Sequence, residues 1–157
     1  MSTSHPAERV VTTRDAAETR SLGARLAAVA RPGDLLCLVG ELGAGKTQVA
    51  KGFAVGLGIT DTVSSPTFVL MTEYDGRLPL FHLDLYRIAD AADALAGGLL
   101  DERQLAGVAL VEWAERLGRA LPVARLDVVI EGTGDEPRRI ALRTADPGYV
   151  RYLEAAA

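Results

Sequence analysis

The chain has 157 residues, 48% of them hydrophobic and 24% charged, which suits one globular domain with a buried core. Its net charge of −4 argues against a protein that grips nucleic acid unaided, because phosphate backbones are held by basic surfaces. No apolar run reaches bilayer length and no basic-then-apolar segment opens the chain, so a cytoplasmic protein without a membrane role is expected, and the single cysteine, Cys37, excludes an internal disulfide.

Residues 1–8 read as a frayed terminus, and Arg9–Thr13 as a short strand. Thr12 or Thr13 is placed to cap a helix from about Asp15 to Ala30, with Leu22, Leu26, Val29 and Ala30 on its apolar face. Gly23 weakens that helix by about 1 kcal/mol. Residues 31–34, Arg-Pro-Gly-Asp, turn the chain into an apolar run at 34–39, which reads as a buried strand. Cys37 lies in its middle and is read as a structural thiol rather than a nucleophile.

Gly40-Glu41-Leu42-Gly43-Ala44-Gly45-Lys46-Thr47 follows, fitting the phosphate-loop pattern G-x-x-x-x-G-K-[ST]. Lys46 is one of only two lysines in the chain. Val49, Phe53 and Leu57 then recur at helical spacing, and Gly58 stands where a helix-ending glycine belongs. Strand, glycine loop and helix is the order that phosphate binding needs. Glycines let the backbone wrap an anion with its N–H groups inward, and the helix N-terminus adds partial positive charge. Leu42, Gly43, Ala44, Gly45, Lys46, Thr47 and Gln48 are therefore the expected nucleotide-binding residues. Lys46 reaches the terminal phosphates, and the Thr47 hydroxyl is suited to Mg²⁺.

Residues 63–68 contain Pro66 and read as a loop. Runs at 68–74 and 78–85, separated by Asp75-Gly76-Arg77, predict an antiparallel hairpin beside the phosphate-loop strand. Residues 89–104, with Gly97-Gly98 between two apolar stretches, predict two short helices. A buried strand at 108–111 ends in Glu112-Trp113 and leads into a short helix through Leu121. A second hairpin pairs 126–131 with 139–144. Asp146-Pro147 opens a terminal helix with Tyr149, Val150 and Leu153 on its apolar face. The fold class is α/β: a single P-loop NTPase-like three-layer domain with a mixed sheet including antiparallel hairpins.

A triphosphate site also needs carboxylates where strands end, since Mg²⁺ takes oxygen ligands and ligands sit at that edge of an open α/β sheet. Asp84 and Glu112 both follow apolar runs. One would serve Mg²⁺ and the other the attacking water, or one would be a strand-end carboxylate in a structural salt bridge, and spacing alone does not assign them. Thr67 is a third candidate, placed like a switch-loop threonine. His82 alternates with Asp84 along its strand and so shares its face; it is suited to donate to Asp84, to phosphate, or to be a satisfied core histidine. Trp113 shields the site or packs in the core, and Arg87 meets phosphate or solvent.

With these residues in hand, the chain resembles the bacterial TsaE family, the small ATPases of tRNA threonylcarbamoyladenosine synthesis. The likeness rests on four ordered motifs: Gly-Glu-Leu-Gly-Ala-Gly-Lys-Thr at 40–47, Ser-Pro-Thr-Phe at 65–68, His-Leu-Asp-Leu-Tyr-Arg at 82–87 and Leu-Val-Glu-Trp at 110–113. The resemblance implies ATP and Mg²⁺ as ligands, weak intrinsic hydrolysis, and docking on TsaD, with TsaB bound to TsaD. It implies a tRNA held mainly by those partners and modified at adenosine 37. It assigns Mg²⁺ to Thr47 and Glu112, hydrolysis to Asp84, and a switch loop to residues 65–68. It also places the adenine near residues 13–16 and Arg138. A small-molecule or nucleotide kinase of the P-loop class is the alternative, but no lid-like insertion is present. A non-catalytic nucleotide-binding scaffold is another. A GTP switch is excluded in its usual form, because the chain has no asparagine for the guanine-reading motif.

Overall fold

The computed structural model describes residues 6–41, 44–61, 63, 71–85 and 105–157. Leu42, Gly43, the 65–68 motif with Thr67, Arg87 and the helices expected at 89–104 lie outside the described residues. The elements are β1 (Ala7–Thr13), α1 (Ala16–Ala28), β2 (Leu35–Val39), α2 (Lys46–Gly56), β3 (Met71–Tyr74), β4 (Leu80–Asp84), β5 (Val108–Glu112), β6 (Leu126–Glu131), β7 (Arg138–Thr144) and α3 (Val150–Ala155). A 3₁₀ segment, Ala114–Ala120, follows β5 and breaks at Gly118, where a helix was expected. A shorter 3₁₀ turn, Pro147–Tyr149, precedes α3.

The seven strands form one sheet in the order β1-β7-β6-β2-β5-β4-β3. The middle four, β6, β2, β5 and β4, run parallel, while β3, β7 and β1 each pair antiparallel with their neighbour. This mixed sheet with helices is the α/β class expected. Parallel strands covered on both faces need apolar residues throughout, and β5 (Val-Ala-Leu-Val-Glu) is buried along its whole length. On one face, Leu36, Leu38, Leu80, Leu110 and Val128 pack against Leu22 and Leu26 of α1 and Phe53 of α2. On the other, Cys37, Phe81, Leu83 and Val111 pack against Ala114 and Leu117 of the 3₁₀ segment. Among the described residues no helix is long and apolar enough to cross a membrane.

Both expected hairpins form, but their placement differs from the expectation. The β3–β4 hairpin does not lie beside the phosphate-loop strand, because β5 runs parallel between β4 and β2. The hairpin next to β2 is β6–β7, with Val39 opposite Val129. Strand β1 begins at Ala7, earlier than the frayed terminus allowed for, because β7 offers it partners as far as Thr144.

The cap of α1 also differs. Asp15, not Thr12 or Thr13, accepts the N–H of Glu18 at 2.9 Å, and Glu18 reaches back to the N–H of Arg14 at 2.8 Å. Thr13 is still in β1, and its hydroxyl lies 2.7 Å from that of Thr19. Gly23 is a contact point rather than a defect. A methyl there would collide with the Val49 carbonyl of α2, and one at Gly52 would collide with the Arg20 backbone of α1. The two helices approach so closely only because both positions lack a side chain. At the C-terminus, Tyr149, Tyr152 and Leu153 are buried and Val150 is only half-buried, so Tyr152 replaces Val150 on the apolar face. The Tyr152 hydroxyl and Arg151 both donate to the Asp34 carboxylate, and the Tyr149 hydroxyl accepts the Leu35 N–H at 3.0 Å. The last helix is thereby pinned to the start of β2.

Candidate functional site

Strand β2 delivers the chain to the glycine loop, and α2 takes it away again. Gly45 makes the join, with φ of 113°, a left-handed value that a side chain would disfavour. Helix α2 opens at Lys46, so its positive end faces the C-terminal edge of the sheet. At that edge β5 ends in Glu112 and β4 in Asp84, directly opposite each other in register, and Leu38 of β2 lies opposite Glu112. Parallel pairing is what brings three strand ends, two of them acidic, to one place.

A cleft of about 550 Å³ lies there. Gly45, Lys46, Thr47 and Gln48 line it from the start of α2, and Asp84, Glu112 and Trp113 from the ends of β4 and β5. Arg14, Asp15, Ala16 and Thr19 from the β1–α1 junction line it too, as do Gly134, Asp135 and Glu136 of the β6–β7 turn and Arg138 at the start of β7. The structure thus brings together seven of the expected site residues: Gly45, Lys46, Thr47, Gln48, Asp84, Glu112 and Arg138. Ala44 is buried behind the cleft and does not line it.

The charged groups in the cleft are held by specific contacts. The Lys46 ammonium donates to the Gly40 carbonyl at 2.7 Å and sits 4.0 Å above the Trp113 ring centroid. Trp113 is the one non-glycine residue with positive φ among those described, at 59°. That backbone costs about 1–2 kcal/mol for a residue with a side chain. Here it turns the chain sharply after β5 and lays the indole against Lys46. Glu112 is 3% exposed, and its carboxylate lies 2.7 Å from Nε2 of the fully buried His82. The sequence pattern placed His82 on the face of Asp84; strand order makes Glu112 its partner. The Gln48 side chain accepts from Arg20 at 2.7 Å, so it links α2 to α1 beside the cleft. At the mouth, Arg14 and Glu18 pair at 2.9 Å. Their hydrogen bond and mutual charge hold the Glu18 carboxyl below, and the Arg14 guanidinium above, its ordinary range.

The oxygen donors that stand at the start of α2 and at the ends of β4 and β5 are Thr47, Asp84 and Glu112. Among the described residues no cluster of three or more His, Cys, Asp or Glu side chains is built to enclose a metal. A small set of oxygens beside a phosphate loop fits Mg²⁺, which takes one or two protein ligands and completes its octahedron from phosphate and water.

Three contacts lay beyond the reach of sequence reasoning: His82 with Glu112, Lys46 with Trp113, and Arg138 with the Ala44 carbonyl at 2.8 Å. Each joins residues from different elements, and only the tertiary arrangement pairs them.

Comparison with known proteins places this geometry. The family model for the threonylcarbamoyl adenosine biosynthesis protein TsaE matches residues 13–140. The chain is 47% identical over 138 residues to the tRNA threonylcarbamoyladenosine biosynthesis protein TsaE of Bacillus subtilis (strain 168), covering 87% of this chain and 86% of that protein. It is 36% identical over 129 residues to the protein of the same name from Treponema pallidum (strain Nichols), covering 82% and 96%. The crystal structure of Bacillus subtilis YdiB superposes with a TM-score of 0.79 at 39% identity, covering 97% of this chain and 95% of the other.

Proposed function

The chain belongs to the TsaE family, and from that premise we propose that it is a Mg²⁺-dependent, weakly hydrolysing ATPase that acts on a TsaD–TsaB complex in tRNA threonylcarbamoyladenosine synthesis. In this reading it does not transfer the threonylcarbamoyl group to adenosine 37; its nucleotide cycle supports repeated turnover by its partners. The observation that carries the reading is the meeting of Lys46, Thr47, Asp84 and Glu112 in one cleft at the mouth of a glycine loop.

We assign the roles from the family resemblance, and the positions of the residues support them. Lys46 exchanges the Gly40 carbonyl for a phosphate oxygen, and its flexible stem allows that with little backbone change. Thr47 and Glu112 are the residues to hold Mg²⁺, which would neutralise charge on the phosphates. His82 keeps the Glu112 carboxylate in one orientation. Asp84, one strand over, is placed to orient the attacking water. Trp113 covers Lys46 and limits the access of solvent to it.

The test is ATP hydrolysis by the purified protein, alone and with TsaD–TsaB, with Lys46→Ala as control. Low activity alone, a rise of tenfold or more with the partners, and loss in Lys46→Ala is the expected pattern. Activity that ignores the partners would remove the assigned role. Activity that survives Lys46→Ala would remove the assigned site.

A further inference from the structure

One side chain braces the glycine loop against the β6–β7 turn. Arg138 opens β7, and its Nε donates to the Ala44 carbonyl at 2.8 Å. Its Nη2 donates to the Gly134 carbonyl at 2.9 Å, and its Nη1 to the carbonyl of Glu136. One guanidinium therefore ties the phosphate loop to the turn between β6 and β7, across 94 residues of chain.

The Ala44 carbonyl belongs to the same peptide unit as the Gly45 N–H. A trans peptide is planar and points these two groups in opposite directions, and no cis peptide occurs among the described residues. Holding the Ala44 oxygen on Arg138 therefore fixes where the Gly45 N–H points. Gly45 borders the cleft and Ala44 does not, and the N–H of Ala44 is already committed to the Glu41 carbonyl at 3.0 Å. With glycine on one side, this peptide has little steric resistance to turning over. A partner for its carbonyl is what selects one orientation.

We infer that Arg138 is a positioning residue: it sets the Ala44–Gly45 peptide so that the Gly45 N–H is presented to a phosphate, and it makes the β6–β7 turn a working part of the phosphate site. The inference rests on the nucleotide-binding part of the proposed function. It differs from the sequence expectation, in which Arg138 meets the nucleotide itself. A lysine would keep the charge but not the planar fork that reaches three carbonyls at once.

The experiment measures Mg·ADP affinity by calorimetry and the ADP-induced shift of the Gly45 amide in ¹H–¹⁵N spectra. It uses the full chain as wild type, Arg138→Ala and Arg138→Lys, with the melting temperature of each recorded without nucleotide. The lysine variant carries the test if the alanine variant does not fold. Expected are ADP affinity reduced about tenfold or more in Arg138→Lys, the size of one lost charge-assisted hydrogen bond, and a Gly45 shift that largely disappears. ADP affinity unchanged in Arg138→Lys overturns the inference. So does weakened affinity with the Gly45 shift intact, which would mark a direct ligand contact. A wild-type protein that binds no ADP would overturn the proposed function instead.

Discussion

His82 and Glu112 meet because β4 and β5 are parallel neighbours in a register that sets Leu110 opposite His82 and Glu112 opposite Asp84. The imidazole thus reaches diagonally to the acid on the next strand. A carboxylate as buried as Glu112 is costly unless hydrogen-bonded, and His82 supplies that bond at 2.7 Å. Cys37 is the opposite case, a buried titratable group that the site does not use. Burial, with the charge of Asp127 adding to it, pushes its thiol from 9.0 up to about 12. The thiol should therefore resist disulfide reagents at pH 8 in the folded protein and react at once in denaturant. The same shift sets a pH dependence. Below about pH 9 the thiol is neutral in both states and its contribution to stability is complete. From about 9 to 12 the unfolded thiol ionises and the folded one does not, so stability falls by up to about 1.4 kcal/mol per pH unit. Urea unfolding of wild type and Cys37→Ala at pH 8, 10 and 11 isolates this slope, and equal slopes in both would refute it.

Helices α1 and α2 pack through glycines, and Gly52 is the tightest point, set against the backbone of Arg20. Gly52→Ala favours the isolated helix by propensity yet must push the two helices apart. We expect a net loss of about 1–3 kcal/mol, the usual cost of overfilling a packed interface. The urea midpoint measures it, and a stabilised variant would show that the helices part without cost. Because α2 begins with Lys46 and Thr47, the displacement should also weaken nucleotide binding. At this scale the sequence was legible in the described strands, in α1, α2 and α3 and in the two hairpins, while the helix expected after β5 is a 3₁₀ segment broken at Gly118. It read Gly23 only as a residue that weakens its helix, since propensity scores a residue against water and not against the helix that covers it. It also misplaced the cap of α1: Thr13 stays in β1, leaving Asp15 as the first side chain able to reach the N–H of Glu18.

Across the whole molecule, the sheet and the terminal helix act together on the site. Asp34, at the entry to β2, is held by Arg151 and Tyr152 of α3, so the last element of the chain fixes the strand that carries the phosphate loop. The overall charge of −4 sets a limit of another kind. Net negative charge opposes the approach of a phosphate backbone, and the counterion release that drives binding to nucleic acid needs a clustered basic surface. Purified alone, it should not retain tRNA in a gel-shift at about 150 mM salt, where surface charges act only over about 8 Å. Retention should appear only when TsaD–TsaB is present. Tight tRNA binding by the isolated chain would mean that a local basic surface outweighs the net charge.

The glycine loop between strand and helix, the two strand-end acids and the α/β class could be read from the residues alone, because each is written in a contiguous pattern with a local physical cause. A glycine loop between an apolar strand and a helix has one common use, and an acid after an apolar run ends a strand at the ligand edge. Which strands are neighbours, and with them the partners of His82, Lys46 and Arg138, emerges only when the chain is folded. Those contacts span 30, 67 and 94 residues of chain. Periodicity says which face a residue takes, but strand order says what waits there, and that order is set by how the whole core packs.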